Sequence, residues 1–150
     1  MIASCRLAGL ALAAALALTM GAPARAADDS LVKLTLDGRP VDRSSGSGVL
    51  HSGIVYGDVE DLVRSFDGIL TFQHDTITVT INGVTAKFTQ GSSAVTLGTA
   101  SVVMPGPIIT RDGENFVPLE FFITRVCAAK VRISPDKTSA NIYVNSNPLS

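Results

Sequence analysis

Apolar residues recur with a helical period at two places in the chain. Val59, Leu62, Val63 and Phe66 fall at i, i+3, i+4 and i+7, and Leu119, Phe122, Ile123 and Val126 repeat that spacing sixty residues later. Each set predicts a short helix with one apolar face. Asp58 is placed to cap the first helix, with Asp61 at its third position, where the helix dipole favours an acid. Gly68 stands just past its end. Pro118 suits the first position of the second helix, where its missing N–H costs nothing.

On either side of the helices the period drops to two. Val32, Leu34 and Leu36 alternate with polar neighbours, as do Ile77, Val79 and Ile81, then Val84, Ala86 and Phe88. Asn82-Gly83 joins the last two runs, and a two-residue turn there pairs Ile81 with Val84, Val79 with Ala86 and Ile77 with Phe88. Asp37-Gly38, Ser52-Gly53, Asp112-Gly113 and Asp136-Lys137 mark further turns. Val49-Leu50, Ile54-Val55, Leu70 and Phe72 read as strands of the first half. Val95 and Leu97, Val102 to Met104, Ile108-Ile109, Val131 and Ile133, and Ala140 with Ile142 and Val144 read as strands of the second.

The layout predicts an α+β fold of two β-β-α-β-β repeats, residues 32–90 and 91–146. Each has antiparallel sheet packed around one short helix. A unit of about 60 residues is marginal alone, so a compact pair is expected. Ser44 to Gly48 reads as a flexible loop and Asn145 to Ser150 as a polar tail.

The N-terminus changes the compartment. Arg6 precedes a run of Ala and Leu to Met20, and Ala24-Arg25-Ala26 is a small-x-small cleavage signal. Residues 1–26 are therefore expected to be an export signal cut before Ala27, shorter than a membrane span. The mature chain, 27–150, is expected to be periplasmic or extracellular, with no transmembrane segment. Losing Arg6 and Arg25 takes 12 cations to 10 against 13 acids, so net charge moves from -1 to -3. No long basic stripe for nucleic acid results. Cys127 is left alone, without an intramolecular disulfide partner, and is expected to be buried.

Candidate chemistry is sparse. His51 and His74 read as solvated loop histidines, with no spacing of metal ligands. His74-Asp75 is the wrong arrangement for a Ser-His-Asp triad, and no Gly-x-Ser-x-Gly step exists. Glu60 with Asp61, and Glu114 with Glu120, are conceivable carboxylate pairs, but Asp61 and Glu120 read better as helix-start charges. No catalytic, cofactor or metal residue is assigned, and an enzyme is not expected. Aromatic residues remain, and Tyr56, Phe121 and Tyr143 form the candidate interaction surface; Phe121 lies off its helix's apolar stripe, where the competing reading is that it packs under the neighbouring unit.

One string in the second half is recognisable: Val95-Thr96-Leu97, Met104-Pro105-Gly106-Pro107-Ile108-Ile109, Gly113, Phe116-Val117-Pro118-Leu119, Ala128-Ala129-Lys130-Val131 and Ala140-Asn141-Ile142-Tyr143-Val144. It resembles the copper amine oxidase N-terminal-like domain, the stalk domain repeat of bacterial exported proteins. Glu120 stands where that family usually has Arg, Ala128 at its Gly and Ile133 at its Trp. The resemblance implies a non-catalytic accessory domain, a five-stranded antiparallel sheet around a helix, without copper or quinone. The expected function is a structural or protein-interaction role in the cell envelope. The alternative is binding of cell-wall or other glycans through Tyr143, Phe121 and a Thr-rich strand face.

Overall fold

The computed structural model describes residues 29–41 and 48–144. The expected export signal, the Ser-Gly loop before Gly48 and the tail from Asn145 lie outside the described residues. β1 (Ser30–Leu36) turns at Asp37-Gly38 into β2 (Arg39–Pro40). β3 (Gly48–His51) and β4 (Ile54–Asp58) form a hairpin about Ser52-Gly53, and α1 (Val59–Ser65) leaves directly from its end. An antiparallel meander follows: β5 (Ile69–Gln73), β6 (Thr76–Ile81), β7 (Val84–Thr89), β8 (Ala94–Leu97) and β9 (Ala100–Val103). A second hairpin, β10 (Ile109–Arg111) and β11 (Glu114–Pro118), leads into α2 (Leu119–Phe121). That helix continues as a π-helical turn over Phe122–Val126, and the chain returns as β12 (Lys130–Ile133) and β13 (Ser139–Tyr143).

The fold is α+β, mostly sheet with two short helices. The β6–β7 hairpin has the register its sequence predicts: Ile81 opposite Val84, Val79 opposite Ala86 and Ile77 opposite Phe88. Asn82 and Gly83 both have positive φ, as a type I′ turn requires. Asp58 caps α1, accepting from the Asp61 N–H at 3.1 Å.

The strands do not form purely antiparallel sheet. One sheet holds β5 to β9 in order, and the other runs β10-β11-β4-β3-β1-β13-β12, with β2 beside β1. Both draw strands from both halves of the chain. β1 pairs antiparallel with β3 through Ser30 to Val32, then parallel with β13 through Lys33 to Leu36. A parallel neighbour is available because these strands are far apart in sequence, so no tight turn dictates their direction.

Three local expectations are corrected. Pro118 ends β11 and stands at the cap position, one step before the helix. Gly68 is not the residue that turns the chain. Asp67 takes the positive φ, the Gly68 N–H reaches Val63 O at 2.8 Å, and the Asp67 N–H reaches Arg64 O at 3.1 Å, a Schellman motif. Gly68 is needed for space, since a Cβ there would come to 2.6 Å of Ile81 Cγ1 and 2.8 Å of Thr80 O. The second helix keeps Leu119, Phe122, Ile123 and Val126 inside as expected. Its last turn widens and is closed by the Cys127 N–H on Phe122 O at 3.0 Å; Cys127 is buried as expected, and Phe121, off the stripe, is buried too.

One apolar cluster runs through the molecule. It takes Leu62 and Val63 from α1, the inner face of the meander from Ile77 to Phe88, Val32 and Leu34 from β1, and Ala140 and Ile142 from β13. The Phe88 and Phe122 rings meet at 6.0 Å between centroids. Val49, Tyr56 and Phe116 form a smaller cluster over the two hairpins.

Candidate functional site

Two of the three aromatic candidates are inside. Tyr56 is 1 % exposed on β4, packed with Val49 and Phe116. Its hydroxyl lies beneath Gly106, where a Cβ would come to 2.5 Å of it, and burial pushes its pKa up. Phe121 is 8 % exposed. It lines a slot of about 210 Å³ with Ile54, Pro105, Pro118 and Ile133, and the Arg125 guanidinium stands 5.7 Å from its ring centroid. Tyr143 is half-buried on β13, with the Arg132 guanidinium 6.0 Å from its ring centroid. Of the three, Tyr143 alone is not buried.

His51 is not a loop histidine. It ends β3, and its Nδ1 lies 2.8 Å from Asp29 Oδ1, while the Arg111 guanidinium at the end of β10 ion-pairs with the same carboxylate. Arg111 also stands 3.4 Å from the imidazole, and the Tyr56 ring packs against it edge-on at 5.9 Å. Asp29 thus ties the start of β1 to the tips of both hairpins. The signal was present in the sequence: His51 and Arg111 lie sixty residues apart, each just before a turn dipeptide. His74 sits in the β5–β6 turn with positive φ, exposed.

The carboxylates that do converge serve architecture. Asp58 is buried, and its pKa is pushed up to about 6, by burial first and then by the neighbouring charges of Asp61 and Glu114. The Asp61 N–H works against that shift. Buried Asn115 accepts from Gln90 at 2.8 Å and Thr110 at 2.9 Å, fastening the end of β7 to the second hairpin. Cys127 is buried, and desolvation raises its thiol to about 12. Among the described residues no group of three His, Cys, Asp or Glu side chains is placed to hold a metal ion. Nor is any described helix long and apolar enough to cross a membrane.

Among curated proteins none matches this chain. The sequence profile of the copper amine oxidase N-terminal domain matches residues 35–144, from the second half of β1 to just past β13. In the amine oxidases that domain is stalk-like and non-catalytic. With most of its length matched, this chain belongs to the copper amine oxidase N-terminal domain family.

Proposed function

We propose that this protein is a non-catalytic, exported stalk-like module with a structural or protein-interaction role in the cell envelope. Residues 1–26 direct export, and the mature chain carries two repeats, 32–90 and 91–146. The observation that carries the reading is where its ionisable residues go. Asp29, His51 and Arg111 tie three elements together, and Asp58 caps a helix. The family match over 35–144 points the same way.

The repeat reading has geometric support. β4 and β11 pair antiparallel, with Tyr56 opposite Pro118, Gly57 opposite Val117 and Asp58 opposite Phe116. With an offset of sixty, Gly57 lies opposite its own counterpart, so a local two-fold axis passes through that pair. α1 and α2 both start immediately after it.

The test is expression of the full chain with a C-terminal tag in a bacterial host, fractionation, and capture from the envelope extract. The expected result is a secreted product starting at Ala27 that retains one defined protein. Recovery of the uncut chain in the cytoplasm, or capture of nothing at either low or moderate salt, would overturn the proposal.

A further inference from the structure

The outer face of β1, β13 and β12 is a grid of donors. Alternation along each strand puts Leu34, Ala140, Ile142 and Val131 toward the core and Lys33, Thr35, Ser139, Asn141, Tyr143, Lys130 and Arg132 outward. Register aligns them in rows: Lys33 beside Ser139, Thr35 beside Asn141 beside Arg132, and Tyr143 beside Lys130. An open cleft of about 320 Å³ runs across the rows, lined by Lys33, Thr35, Arg132, Ser139 and Asn141. Lys33 and Arg132 stand on the two flanking strands one row apart, roughly 12 Å from each other by strand and residue spacing.

What the amide and the cations of this face have left to offer is donors. Asn141 Oδ1 is taken by the Thr35 hydroxyl at 2.6 Å and the Gly38 N–H at 3.3 Å, which leaves its NH₂. None of Lys33, Lys130 and Arg132 forms an ion pair with a described residue. The acid of the β12–β13 turn, Asp136, is spent on Ser134 and Thr138, and those hydrogen bonds hold its pKa low. Asp37, at the other end, accepts from the Val144 N–H at 3.3 Å. Arg132 lies against the Tyr143 ring, setting a planar cation and an aromatic surface side by side. Three cations with no ion pair among the described residues share one face of a chain whose net charge is -1.

We infer that this face binds an acidic glycan, a polysaccharide with carboxylates on its sugar rings. Lys33 and Arg132 take the carboxylates, Asn141 and Ser139 take ring hydroxyls, and Tyr143 supports an apolar ring face. A folded protein partner fits less well: among the described residues Leu31 is also exposed on this side, but it lies beyond the β1–β13 pairing, so the face lacks the apolar centre a protein interface needs. The inference stands independently of the envelope partner proposed above.

The experiment is affinity electrophoresis of the full mature chain through gels containing polygalacturonate, its methyl-esterified form, or poly-L-glutamate. The expected result is retardation by polygalacturonate alone, weakened as salt rises. Arg132→Gln and Tyr143→Ala should each weaken it roughly tenfold, and Arg132→Gln should leave the melting temperature unchanged because that side chain is exposed. No retardation by polygalacturonate would overturn the inference. Equal retardation by poly-L-glutamate would overturn it in favour of an acidic polypeptide. Retardation indifferent to both substitutions would place the binding elsewhere and overturn it too.

Discussion

Gly57 on β4 lies directly opposite Val117 on β11, and its missing side chain is what lets the two helices close over that pair. A Cβ at Gly57 would come to 2.9 Å of Leu62 Cδ1 from α1, 3.0 Å of Leu119 Cδ1 from α2 and 3.4 Å of Leu34 Cδ1 from β1. All three leucines are fully buried and have nowhere to move. Gly57→Ala should therefore cost about 1–3 kcal/mol by overpacking. Urea denaturation measures it, and a midpoint equal to that of the parent would mean the core yields at this point.

Asp58 makes stability depend on pH in an unusual direction for an acid. Its folded-state pKa is raised from 3.8 to about 6, by burial and by the charges of Asp61 and Glu114. The folded state thus holds the proton more tightly than the unfolded one. The contribution is fully present below about pH 4 and is lost as pH rises through 6. Asp58→Asn keeps an oxygen for the Asp61 N–H and removes the charge. It should gain about 1–3 kcal/mol relative to the parent at pH 8 and lose that advantage near pH 4. Melting curves of both proteins across that range would show parallel profiles if the idea is wrong.

Ala128 holds a positive φ of 54° where α2 ends. A Cβ is unfavourable there, and glycine removes the strain. Ala128→Gly should stabilise the fold by about 1 kcal/mol despite the added freedom of the unfolded chain. A fall in melting temperature would count against it. Asp67→Gly, at the matching position after α1, should act in the same direction.

Cys127 should be inert while the protein is folded. Its thiol is buried and raised to about 12, so almost no thiolate exists at neutral pH. A maleimide reagent should label it only as fast as the molecule unfolds, and completely in denaturant. Prompt labelling of the native protein would show that the end of α2 opens locally.

Neither half should fold alone. The eight-stranded sheet needs β10 to β13 from the second half beside β1, β3 and β4 from the first, and the meander joins β5 to β7 with β8 and β9. Residues 27–90 expressed alone should show no cooperative melt, and mixing with 91–150 should restore one. A cooperative transition for either fragment alone would refute this.

Local chemistry was legible in the sequence, and long-range pairing was not. The β6–β7 hairpin follows from its period and its turn dipeptide, and α1 follows from Asp58 and its apolar spacing. Tyr56 is inside because β4 lies between β11 and β3 in its sheet with both faces covered. Val55, Tyr56, Gly57 and Asp58 are all buried in succession, and alternation disappears. Phe121 lies off its helix's stripe and is buried all the same, because it packs beside Ile54, Pro105, Pro118 and Ile133 from other elements. The Asp29, His51 and Arg111 tie joins residues from three distant strands. The donor grid was half visible: Tyr143 stood out as an aromatic on an outward strand face. Its neighbours Lys33 and Arg132 did not, because the parallel β1–β13 pairing that assembles them leaves no turn signal.

That parallel pairing also has a mechanical meaning. β1 opens the described chain, β13 closes it, and the two run side by side in the same direction from Lys33 with Ser139 to Leu36 with Ile142. Tension applied at the start of β1 and the end of β13 pulls the strands past each other lengthwise. The bonds between them, such as the Lys33 N–H on Thr138 O and the Asp37 N–H on Ile142 O, are strained together instead of opening one by one. A hairpin pulled at its open end unzips at low force; this arrangement resists as a shear joint. A module closed in this way can transmit a pull along its length without coming apart, which is what a tether between two anchored bodies requires.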